Sequence, residues 1–130
     1  MFDFLLAPRS ARLMSATALL LSLSACSLQP RLSDEERLAA WLPADVLLLG
    51  EQHDAVAHQR VQQGLVATLA GRGQLAALAL EMADSGTSTA GLPSDASPEQ
   101  VRASLKWDDT AWPWTAYGPV VMSAQRAGVP

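Results

Sequence analysis

Cysteine is almost missing from this 130-residue chain: Cys26 is the only one, so no intrachain disulfide can form. Cations are scarce too. Nine Lys and Arg stand against thirteen Asp and Glu, the net charge is −4, and no basic cluster breaks the pattern. The footprint of a nucleic-acid binder is therefore absent, and no nucleic-acid partner is expected. Histidine occurs twice, at His53 and His58, and tyrosine once, at Tyr117. Chemistry that needs an imidazole or a phenol has few places to happen. The length allows one small domain at most, and nothing in it repeats.

Apolar residues make up 49% of the chain, but part of that share belongs to the N-terminus. Residues 1–25 read as a secretory signal, with Arg9 and Arg12 as the positive region and Leu13 to Leu23 as the apolar run. That run is shorter than the roughly 20 residues that span a bilayer. It closes on Leu23-Ser24-Ala25-Cys26, which resembles the bacterial lipoprotein signal, in which the cysteine is lipidated and becomes the first residue. Lipidation of Cys26 is expected on that resemblance, and with it a membrane as partner. An ordinary signal peptide or a buried lone thiol are the alternatives. Ser27 follows Cys26 where Asp would signal retention in the inner membrane. By resemblance to lipoprotein sorting, the expected location is the outer membrane, facing the periplasm or the cell surface.

Residues 26–32 form a short tether containing Pro30, and residues 33–130 form the domain. Ser33-Asp34-Glu35-Glu36 is a capping box that opens a helix carrying Leu38, Ala39 and Trp41, stopped by Pro43. Val46 to Leu49 is then an apolar run with no polar alternation, which predicts a strand buried on both faces as in a parallel sheet. Gly50 ends it, and supplies a positive φ or a close backbone approach. Ala55 to Ala70 predicts a crossover helix with its stripe on Val61, Leu65, Thr68 and Leu69, and with His58 on that same face, toward the sheet. A second unalternated run, Leu75 to Leu80, gives a right-handed βαβ unit. Asp84 to Ser97 has almost nothing to bury and reads as a loop or flap. Ser97-Pro98-Glu99-Gln100 opens a short helix to Leu105 or Lys106. Pro119 is the expected start of a last helix reaching Ala127. The fold class is thus α/β, a parallel sheet with crossover helices. Two parallel strands make a poor core, so the chain reads as an incomplete fragment of a larger α/β domain, for which downstream sequence or pairing as a homodimer is the expected rescue.

The two strands end in Glu51 and Glu81, and ligands in open α/β sheets sit beyond the carboxyl ends of strands. Parallel neighbours lie roughly 5 Å apart, which would bring both carboxylates into one crevice. There they could act as acid and base, or share a metal cation with His53. Equally, each glutamate could cap a helix or pair with an arginine such as Arg60. His53 and His58 do not have the i, i+4 spacing of a helical zinc site. One on a loop and one on a first helical turn can still converge, though a histidine on an apolar stripe is more often a packed core residue. Trp107, Trp112, Trp114 and Tyr117 offer flat apolar faces, and Tyr117 a phenolate donor for ferric haem. Core packing explains any one tryptophan as well.

Taken in order, Leu49-Gly50-Glu51-Gln52-His53-Asp54, His58, Leu80-Glu81-Met82, Trp112-Pro113-Trp114-x-x-Tyr117-x-Pro119 and Ala127-Gly128-Val129-Pro130 resemble the ChaN family of haem-binding lipoproteins within the Tiki superfamily. The resemblance implies a lipid-anchored protein that binds haem for haem or iron uptake or trafficking. It implies haem as cofactor, with Glu51, His53, His58, Glu81, Trp112, Trp114 and Tyr117 as candidate contacts and Arg60 and Arg102 as candidate propionate partners. The rival is a metal-dependent hydrolase of the same superfamily using Glu51, His53 and Glu81 on a divalent ion. Here a single residue, Gln52, separates Glu51 from His53, so strict metallohydrolase spacing is not evident. An inert fragment is the third reading.

Overall fold

The computed structural model describes residues 32–130. The signal segment, Cys26 and the tether as far as Arg31 lie outside the described residues. The described chain forms four helices: α1 (Asp34–Trp41), α2 (Val56–Gly71), α3 (Pro98–Leu105) and α4 (Trp114–Arg126). Among the described residues there is no strand.

Helices α1 and α3 start for local reasons. Asp34, Glu35 and Glu36 fill the first turn of α1, where negative charge meets the positive end of the helix dipole. At α3 the capping box closes in both directions: Gln100 N donates to Ser97 Oγ at 3.3 Å, and Ser97 N donates to Gln100 Oε1 at 2.8 Å. Pro98 sits at the first turn, and Lys106 ends the helix in the left-handed region at φ 51°. Helix α4 begins at Trp114, five residues before the expected start, and carries Pro119 inside it. Pro119 removes the N–H that would bond to Thr115 O. Both residues are exposed, so the freed carbonyl can reach water, while Tyr117, Val120, Val121, Met122 and Ala124 on the buried side hold the helix together.

Helix α2 is the hub. Its Val66 faces a cluster with Val101 and Leu105 of α3 and Val120, Val121, Met122 and Ala124 of α4. Leu65 and Leu69 face a second cluster around Leu38 of α1, which is 0% exposed. Two partners on two sides need a wider apolar surface than one stripe. Val66 is accordingly buried, whereas Val61 is 45% exposed. Arg72 beyond the end of α2 also reaches back to Glu35 of α1 at 2.5 Å.

The expected parallel sheet is therefore corrected to a helical fold among the described residues. Leu47 and Leu49 pack against the Leu38 cluster, but Val46 and Leu48 are 72% and 87% exposed, so the run is covered on one face only. Leu75, Leu78 and Leu80 lean on the larger cluster, and the one backbone bond from this stretch to the chain end is Leu78 N to Pro130 O, 2.8 Å. An unalternated apolar run records hydrophobicity, whereas a sheet needs a continuous ladder to a neighbouring strand. One bond is not a ladder. Without paired strands, the βαβ unit falls away as well. Gly50 is not at positive φ, and a Cβ built on it would meet nothing within 4 Å.

Residues 84–97 are a loop, as expected, though a packed one. Turns closed by Thr87 N to Asp84 O, Leu92 N to Thr89 O and Ala96 N to Pro93 O fold it against α4, with Thr89 and Ala96 buried. Gln125 Nε2 of α4 donates to Pro93 O at 2.8 Å and fastens it.

Candidate functional site

The stretch from Glu51 to Ala55 is stitched onto the first turn of α2. Gln52 N donates to His58 Nδ1 at 3.1 Å, Gln59 Nε2 donates to His53 O at 3.0 Å, and Ala55 N donates to Gln52 O at 2.9 Å. These bonds fix where Glu51 and His53 point. The Glu51 side chain is 6% exposed, and its Oε1 lies 2.8 Å from His53 Nδ1. The His53 side chain is 41% exposed.

The opposite wall comes from the 107–117 region. Asp108 Oδ1 accepts from Thr110 N and Ala111 N at 2.9 and 3.1 Å. Asp109 Oδ1 accepts from Trp114 N at 2.6 Å, filling the role of a cap that Pro113 cannot take. Trp107 Nε1 donates to Trp112 O at 2.7 Å. So fastened, Trp112 meets the His53 ring edge-on with centroids 4.9 Å apart, and meets Tyr117 at 6.0 Å. Tyr117, 2% exposed on α4, brings its hydroxyl to 3.3 Å from His53 Nδ1.

The electrostatics favour a neutral phenol. Burial, and then hydrogen bonding to and the charge of Glu51, push Tyr117 up to about 12 from 10, with Glu81 adding a little by charge and Gln59 opposing. A phenolate donor is correspondingly hard to form at neutral pH. Glu51 Oε2 is buried and has no hydrogen-bond partner. Such an atom is costly unless something satisfies it.

The structure thus brings Glu51, His53, Trp112 and Tyr117 together across 60-odd residues of sequence. His58 is exposed, away from the apolar face expected for it, and is occupied by Gln52 N. Glu81 is exposed and touches the cluster only through its charge on Tyr117. Among the described residues no group of three or more His, Cys, Asp or Glu could hold a metal ion, so Glu51, His53 and Glu81 do not assemble into a metal set. Trp114 stands one ring further out, 5.2 Å from Trp107 and 5.8 Å from the Arg102 guanidinium. Arg102 also pairs with Asp109 at 3.0 Å, and Arg60 lines a groove with Asp34 and Glu35. Gln59 is the residue that sequence reasoning missed. Its signal was weak: a glutamine six positions after His53, on the first turn of α2.

No helix among the described residues is long and apolar enough to cross a membrane. Compared with known proteins, residues 37–130 match the sequence profile of the family described as haem-binding uptake, Tiki superfamily, ChaN. No curated protein and no solved structure gave a match. With well over half its length covered by that profile, the chain belongs to the ChaN haem-binding uptake family of the Tiki superfamily.

Proposed function

We propose that this protein binds haem on its His53 face and, anchored through lipidated Cys26 in the outer membrane, serves haem or iron uptake. One observation carries the reading: His53 Nδ1 is engaged by Glu51 at 2.8 Å, which leaves Nε2 as the free nitrogen of a ring that is 41% exposed. An imidazole nitrogen of this kind is a common haem ligand. The donor chemistry fits in three further ways. Trp112, edge-on to His53, offers apolar aromatic surface beside the donor. The Glu51 carboxylate behind the imidazole fixes the ring's orientation as an outer partner does in metal sites. Tyr117 is buried with its hydroxyl 3.3 Å from His53 Nδ1, and the Glu51 side chain is shut off from water. Haem, when bound, would supply a ferric centre able to take a nitrogen donor. The protein's own part is to hold that nitrogen, exclude water from its base and present an apolar edge.

Titration of hemin into the full-length protein in the presence of a chelator tests this. The expected result is a sharpened, shifted Soret band that saturates and is indifferent to divalent metal. An unchanged hemin spectrum, or a requirement for divalent metal, would contradict it. Membrane attachment is tested separately by intact mass: lipid on Cys26 supports it, and a free Cys26 thiol sinks it.

A further inference from the structure

The two histidines of the site are held through the same ring atom by opposite kinds of partner. Gln52 N can only donate, so His58 Nδ1, 3.1 Å away, is the nitrogen with the lone pair, and the proton of neutral His58 is on Nε2. A carboxylate oxygen can only accept, so His53 Nδ1, 2.8 Å from Glu51 Oε1, is the nitrogen with the proton. The lone pair of His53 is then on Nε2.

That assignment has a consequence for Tyr117. Its hydroxyl lies 3.3 Å from His53 Nδ1, yet a protonated Nδ1 cannot accept from it. The phenol proton needs another acceptor. The Glu51 carboxylate favours the protonated phenol and so keeps it a donor.

We infer that Glu51 is a positioning residue: its carboxylate takes the Nδ1 proton of His53, so that neutral His53 keeps its lone pair on Nε2 while neutral His58 carries its N–H there. This rests on the haem reading for its purpose but not for its geometry. A ligand that needs a nitrogen lone pair will therefore use His53 and pass over His58, which would have to give up its bond to Gln52 N to change tautomer. Tyr117 stays a neutral phenol.

The test is nitrogen NMR of the two imidazoles in the full chain without hemin, at mildly alkaline pH. Expected are protonated Nδ1 for His53 and protonated Nε2 for His58 in the wild type, with no variant needed. In Glu51→Gln, which keeps an acceptor oxygen, His53 should retain its tautomer. In Glu51→Ala, shown by circular dichroism to keep its helices, His53 should shift to the Nε2–H form, and hemin affinity should fall roughly 10–100-fold, as for loss of an outer partner. His53 with protonated Nε2 in the wild type, or a His53 tautomer unmoved by Glu51→Ala, would overturn the inference. Should the tautomers come out as stated while hemin fails to bind, the positioning role stands and the haem reading falls.

Discussion

The Tyr117 hydroxyl lies 3.3 Å from Nδ1 of His53, a residue 64 positions earlier in the chain. That contact joins α4 to the stretch preceding α2, the same two helices that share the larger apolar cluster through Val66, Val120 and Val121. Core packing and site geometry are therefore one arrangement, and a change that tilts α4 against α2 will also be felt at His53.

Removing the hydroxyl alone separates the ligand role from the supporting role. Tyr117→Phe keeps the buried ring against Trp107 and Trp112. It should destabilise the fold by about 1 kcal/mol, the usual worth of one hydrogen bond, read as a lower thermal midpoint. The hemin Soret band should keep its position. Loss of the band in a folded Tyr117→Phe protein would mean that the phenolate is the donor instead.

Tyr117 is the only tyrosine, so tyrosinate absorbance reports on it without ambiguity. The folded protein should titrate near 12 and the denatured chain near 10. The sign follows from which form the fold prefers: it binds the neutral phenol better than the unfolded chain does. The stabilisation is fully present below pH 10 and is lost as pH rises through 12. A folded-state titration at the ordinary value would show the phenol to be more solvated than its burial on α4 implies.

Gly118 decides between propensity and packing. Alanine in place of glycine inside a helix normally gains about 1 kcal/mol. Here, however, a Cβ would lie 2.5 Å from Trp114 Nε1. Overpacking of that kind costs about 1–3 kcal/mol, so Gly118→Ala should lower the thermal midpoint. Combining it with Trp114→Leu should recover most of the loss. A Gly118→Ala protein more stable than wild type would mean that Trp114 has room to move.

The helices were legible because their signals are local. Ser97, Pro98 and Gln100 announce α3 within four residues, and the acidic first turn and Pro43 bracket α1. The sheet was misread because a run such as Val46 to Leu49 states how apolar it is, not what will cover it, and the cover turned out to be one-sided. Pro119 misled for a similar reason: the rule against proline in a helix weakens where the orphaned carbonyl faces water, and exposure is not written in the sequence. At the site, Glu51, His53, Trp112 and Tyr117 were legible as residue types, and the aromatic segment as a unit. Their meeting depends on how α4 packs on α2, which no spacing encodes. His58 was placed by a helical stripe that ignored its bond to Gln52 N, and Gln59 had no motif to announce it.

The most direct test of the central claim compares hemin titrations of the wild type, His53→Ala and His58→Ala, each checked for helical content. His53 is expected to supply the donor nitrogen, and His58, exposed and engaged through Nδ1, is not. The predicted result is that His53→Ala loses or displaces the protein-induced Soret band while His58→Ala binds hemin as the wild type does. A band that survives His53→Ala unchanged, or that disappears with His58→Ala instead, would contradict it.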